Sequence, residues 1–112
     1  MHLLPQKALP VVAECMRTGA DKYGPQNWLD EKVTATAYCD AIDRHLRLYL
    51  MGQECALDSK MHHLAHIAAT AMILLDAAMV GQAADDRRHY PDADASDIME
   101  DLKKIREEAR LG

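Results

Sequence analysis

The fourteen residues from Ile67 to Val80 are apolar except for Thr70 and Asp76. A helix needs roughly 20 such residues to cross a bilayer, so this stretch is too short to span one. A helix that is apolar nearly all round has to be covered by neighbours, which makes it the central element of a small fold. The covering material is helical too. Five aromatics and no Phe leave a core of Leu, Ile, Val, Met and Ala, which suits helix-on-helix packing better than a sheet sandwich. The expected class is all-α: a small helical bundle built on a central antiparallel helical hairpin, with an amphipathic helix at the C-terminus.

Glycines and turn formers divide the chain. Pro5 suits a first helical turn, and Ala8, Val11, Val12, Cys15 and Met16 follow at helical spacing up to Gly19. Asp21–Lys32 reads as a loop, because Gly24-Pro25 interrupts a helix. Thr34 or Thr36 can cap a second helix that ends before Gly52, and Asp58 or Ser59 a third that ends before Gly81. The helices are expected near 5–18, 35–51, 58–80 and 96–110. Residues 1–81 form the main domain, 82–95 a polar connector, and 96–112 a docking helix capped by Ser96. Its narrow stripe of Ile98, Leu102 and Ile105 needs the bundle or a second subunit to cover it. A homo-oligomer is expected, since a chain of 112 residues buries only a modest share of its surface alone.

The formal charge of −5, with no Lys/Arg run, argues against gripping a long nucleic acid and leaves a single-nucleotide site open. Cys15, Cys39 and Cys55 are an odd set at no metal-like spacing. With no signal peptide they read as reduced thiols, and the expected location is the cytoplasm.

Core packing does not readily explain residues 44–76. Four of the six histidines fall in the 22 residues from His45 to His66, beside Arg44, Glu54 and Asp58. His63 and His66 lie three apart, on one side of a helix, and folding the hairpin near Cys55 sets His45 opposite Ala65. His45, His63 and His66 can therefore converge, with Glu54 or Asp58 completing a metal shell. The same residues suit a hydrogen-bonded core, with Asp58 a helix cap and Glu54 solvated. Asp40 and Asp43 fall on the outward face of the second helix.

Arg44 can read phosphate oxygens bidentately, or pair with Glu54, Asp58 or Asp40. Tyr23, Asn27 and Trp28 make an aromatic-amide loop of the kind that stacks and hydrogen-bonds a base, although a lone Trp also serves as a loop anchor. No glycine-rich phosphate loop, adjacent His-Asp pair or CxxC is present.

In order, Lys22-Tyr23-Gly24, Asn27-Trp28, Arg44-His45-Leu46, Gly52-Gln53-Glu54, Asp58-Ser59 and His62-His63-Leu64-Ala65-His66 resemble a small-protein family common in bacteriophages. It is the dATP/dGTP diphosphohydrolase N-terminal domain, close to the MazG-type all-α nucleotide pyrophosphatases. The resemblance covers about residues 4–80. The chain departs from it at Gln53, where Glu is common, and at Thr70, where many members have Asn. The ExxE pair of the all-α pyrophosphatases is missing, as no two glutamates are three apart.

The resemblance implies hydrolysis of a (deoxy)purine nucleoside triphosphate to monophosphate and pyrophosphate in a phage nucleotide-metabolism role. Mg²⁺ or Mn²⁺ would be held by His45, His63, His66 and Asp58, with Glu54, Asp58 and Arg44 as catalytic residues. Lys22 would join Arg44 in neutralising phosphate charge, and Tyr23, Asn27 and Trp28 would face the base. The alternative is a non-catalytic phage helical protein that binds a nucleotide-like ligand or a host defence protein.

Overall fold

A computed structural model describes residues 1–91 and 95–111, and the chain is mostly helical. Helix α1 spans Ala8–Tyr23, α2 Ala35–Leu50, α3 His63–Met79 and α4 Ala95–Leu111; a single 3-10 turn covers Asn27–Leu29. Two strands of two residues each, β1 (Val33–Thr34) and β2 (Ala83–Ala84), pair in parallel, with Val33 opposite Ala83 and Thr34 opposite Ala84.

Helix α1 passes through Gly19, which costs a helix interior only about 1 kcal/mol, and stops at Gly24. Gly24 adopts φ +95° and gives its N–H to the Ala20 carbonyl at 2.8 Å. The extra turn carries Lys22 and Tyr23. Helix α2 ends on Gly52 at φ +100°, whose N–H meets the Tyr49 carbonyl while that of Gln53 reaches Leu48, both at 3.0 Å. This paired closure needs a left-handed residue, and it turns Gln53 back toward the helix.

The third helix starts later than Asp58 or Ser59 would have it. Lys60 sits at φ +64°, outside helical geometry, and the cap is His62, whose Nδ1 accepts from the Leu64 N–H at 3.0 Å. The loop before it folds on itself: Ala56 N–H bonds the Met61 carbonyl, and His63 N–H the Glu54 carbonyl, each at 2.9 Å. It projects Asp58 and Ser59. At the other end α3 closes with the Gln82 N–H on the Ala77 carbonyl at 2.7 Å.

Thr34 occupies the cap position of α2 but makes no side-chain cap bond. The Asp86 carboxylate does that work from 50 residues away, accepting from the Thr36 N–H at 2.9 Å and from its hydroxyl. Gln82 also ties back, donating from Nε2 to the Leu29 carbonyl at 2.8 Å. Residues 82–86 thereby run beside 29–36.

The α1–α3 contact is centred on Cys15, Ala65 and Ala69, with Val12, Met16 and Met61 packed against them. Small residues here let α1 and α3 approach closely. Leu50, Met51, Leu75, Met79 and the α4 stripe of Ile98, Leu102 and Ile105 remain exposed. Ser96 lies inside α4, one residue after its start, and residues 92–94 of the expected connector lie outside the described residues.

Candidate functional site

The late stop of α1 and the back-turned end of α2 open a cleft of about 810 Å³ between α1, the 24–28 loop, α2 and the first turns of α3. Its lining includes Lys22, Tyr23, Asn27 and Trp28 from one side and Arg44, His45, Asp58 and His66 from the other. That volume is within the usual range for a small-molecule site.

Its charge runs against that of the chain. Arg17, Lys22 and Arg44 border the cleft, and Asp58 is the one carboxylate among its lining residues. Arg17 is neutralised by Glu14. Lys22 and Arg44 form no ion pair among the described residues, so two free cations face the opening; none of Glu54, Asp58 and Asp40 pairs with Arg44. Asp58 is held below the usual carboxylate range, first by the Ser59 N–H at 2.8 Å and then by its own backbone N–H, with Lys22 and His66 adding to the effect.

Trp28 lies on the cleft with its indole N–H given to Asp76 Oδ2 at 2.7 Å. Asp76 therefore meets an indole. The bond fixes the ring's outer edge to α3. Tyr23 is 66% exposed, with Lys22 Nζ 5.5 Å from its ring centre.

The three histidines do converge. His45 and His66 stack with ring centres 4.3 Å apart and planes 8° from parallel. His45 Nδ1 lies 2.8 Å from His63 Nδ1, and His63 Nε2 2.6 Å from Gln53 Oε1. His66 is held by the Ser59 hydroxyl at 2.7 Å on Nε2 and by Cys15 Sγ at 3.3 Å on Nδ1. His63 is 1% exposed, while His45 and His66 are half-buried. Burial pushes His45 down from the ordinary histidine value, helped by His66, His63 and Arg44 against a small opposing pull from Asp58. His66 moves down for the same leading reason, with Asp58 opposing and His63 reinforcing.

This arrangement does not fit the expected metal shell of His45, His63, His66 and Asp58. Five of the six ring nitrogens are hydrogen-bonded to each other or to Gln53, Ser59 and Cys15. Among the described residues, no group of three or more His, Cys, Asp or Glu side chains is placed to hold a metal. Mg²⁺ and Mn²⁺ also favour oxygen ligands over imidazole. Glu54 stands apart from the cleft, because its carbonyl is fixed by His63 N–H and its carboxylate meets His62 Nε2 at 3.0 Å.

Three members of the cluster escape a reading of the sequence. Cys15 is 51 residues from His66, and nothing in its spacing announces the contact. Gln53 reaches His63 only because Gly52 turns it back, and Ser59 reaches His66 because Lys60 delays the helix.

A family model matches residues 1–87, with the description dATP/dGTP diphosphohydrolase, N-terminal. The chain belongs to this family. The match takes in the cleft, the three clustered histidines and the Asp86 cap, and leaves α4 outside it. The family's name is that of a nucleotide hydrolase. Neither the curated proteins nor the solved structures offered a match.

Proposed function

We propose that the cleft binds a purine deoxynucleoside triphosphate and hydrolyses it to the monophosphate and pyrophosphate. The observation that carries this reading is the pairing of two unneutralised cations, Lys22 and Arg44, with an aromatic-amide wall inside one cleft of a chain whose net charge is −5. Phosphate oxygens answer the cations, Arg44 by a bidentate fork and Lys22 as a point charge. Tyr23, Asn27 and Trp28 supply a face to stack on and an amide to read the base edge. Asp58, ionised beside Lys22 and His66, stands where the phosphates would lie. The proposed scaffold is an antiparallel α2–α3 hairpin with α1 packed against α3.

Mg²⁺ or Mn²⁺ belongs in this proposal as a companion of the triphosphate's own oxygens, not as an ion held by the imidazoles. We also propose that the working unit is a homo-oligomer. Besides His63, the described chain buries only seven apolar side chains, five of them Ala, while Leu50, Met79, Ile98, Leu102 and Ile105 stay open. The setting proposed is phage nucleotide metabolism in the host cytoplasm. Among the described residues, no helix is long and apolar enough to cross a membrane.

The test is pyrophosphate release from each dNTP, with Mg²⁺ and with Mn²⁺, by the purified chain. Release from dATP and dGTP is expected. Binding of these nucleotides without release would favour a non-catalytic binding protein.

A further inference from the structure

The nucleotide-hydrolase reading needs a group that takes a proton from water, and the histidine cluster contains one atom suited to it. A 2.8 Å contact between Nδ1 of His45 and Nδ1 of His63 requires that one ring donate and the other accept. Gln53 decides which. Its Oε1 lies 2.6 Å from His63 Nε2 and can only accept, so that nitrogen carries the proton. In a pair of neutral rings, His63 Nδ1 is then a bare acceptor, and the proton between the two belongs to His45. A neutral His45 protonated on Nδ1 has an unprotonated Nε2.

That Nε2 has no hydrogen-bond partner among the described residues, and it is not counted among buried polar atoms lacking one. Water reaches it. His45 borders the cleft together with Arg44 and Asp58. A chain of three side chains therefore ends in an open lone pair beside the proposed phosphate site.

We propose that His45 Nε2 is the general base of the reaction, and that Gln53 and His63 are positioning residues that keep it unprotonated. The inference rests on the hydrolase reading above. In the step, Nε2 accepts a proton from water as the water oxygen bonds to the α-phosphorus. The bond from that phosphorus to the bridging oxygen breaks, pyrophosphate leaves with the electron pair, and the proton on Nε2 passes to solvent. The imidazole stacked on it, His66, limits how far the ring can rotate. The burial that lowers His45 also keeps it neutral and able to accept near pH 7.

The experiment combines kinetics with histidine ¹⁵N NMR on the full chain. His45→Gln should lower kcat by about 10²–10⁴-fold, the usual range for a lost general base, while the KM for dATP stays within about threefold. Gln53→Leu should also lower kcat and should move the proton of His45 to Nε2. Gln53→Glu, which can only accept, should recover both the turnover and the tautomer lost in Gln53→Leu. In the parent protein the ¹⁵N spectrum should show His45 protonated at Nδ1 and bare at Nε2.

A parent that hydrolyses dNTPs while His45→Gln retains its kcat overturns this inference and leaves the hydrolase reading standing. So does a parent spectrum with His45 protonated at Nε2. A parent with no turnover on any dNTP overturns the hydrolase reading itself, and the base role falls with it.

Discussion

Trp28 and Asp76 join the 24–29 loop to the far part of α3 through a 2.7 Å bond from the indole Nε1 to a carboxylate oxygen. Asp76 interrupts the most apolar stretch of the chain, and this bond gives it a purpose. It anchors the aromatic wall of the cleft from behind, so that wall is positioned before any ligand arrives.

Trp28→Phe keeps most of the ring and removes the donor. The expected outcome is a KM for dATP raised by about three- to tenfold with a smaller change in kcat, because the lost bond orders the wall rather than the reacting atoms. Asp76→Asn should reproduce only part of this, since an amide oxygen can still accept. Steady-state kinetics on both variants checks it.

Lys22→Ala and Arg44→Ala should each raise the KM for a triphosphate by about tenfold, and weaken inhibition by the monophosphate product less. Neither cation holds an ion pair among the described residues, so the melting temperature should hardly move. Calorimetry on the same samples separates loss of binding from loss of fold. The effects should shrink as salt is raised.

His63→Ala is a different kind of substitution. The ring is 1% exposed and bonded at both nitrogens, so truncation leaves a cavity and two unmet partners. A cost of about 2–4 kcal/mol is expected in urea unfolding. Asp58→Ala, at an exposed loop position, should fold normally and lose turnover. The expected metal shell placed these two residues together; burial separates them.

The two lowered histidines predict how stability responds to pH. The groups facing His45 are His63, His66, Arg44 and Asp58. Because the folded protein holds His45 and His66 below their ordinary value of 6.5, the unfolded chain binds protons first as pH falls. Their contribution is complete above pH 6.5 and declines as the pH drops from there toward the folded values. The melting temperature should therefore fall as the pH drops below about 6.5. Replacing both rings, His45→Asn with His66→Asn, should flatten that fall.

Asp86→Ala should weaken the fold through the start of α2, whereas Thr34→Ala should do little, since Thr34 makes no cap bond. The Asp86 carboxyl is held below its ordinary range, first by the Thr36 hydroxyl and then by the Thr36 N–H. Its stabilisation is present above the unfolded value and is lost as the pH falls through the folded one. Urea midpoints of the two variants at neutral pH make the comparison.

Periodicity and glycine stops revealed the helices because α2 and α3 do end beside Gly52 and Gly81, as the local chemistry requires. Gly19 misled, since one glycine weakens a helix without ending it, and the Gly24-Pro25 pair was the true break. The convergence of His45 with His63 and His66 followed from helical angles and the fold-back of the chain near Cys55. What local sequence does not encode is the long-range pairing: Cys15 with His66, Asp86 with Thr36, and Val33 with Ala83 are each about 50 residues apart. The proton order of the histidines was hidden for another reason. It depends on Gln53, whose direction is set by a left-handed glycine.

In the proposed reaction, water attacks the α-phosphorus of a purine dNTP in this cleft. Turnover in ¹⁸O-water, followed by ³¹P NMR of the products, tests it most directly. The predicted result is ¹⁸O in the deoxynucleoside monophosphate and unlabelled pyrophosphate, from dATP and dGTP alike. Label in the pyrophosphate, inorganic phosphate as the first product, or no product from any dNTP would contradict it.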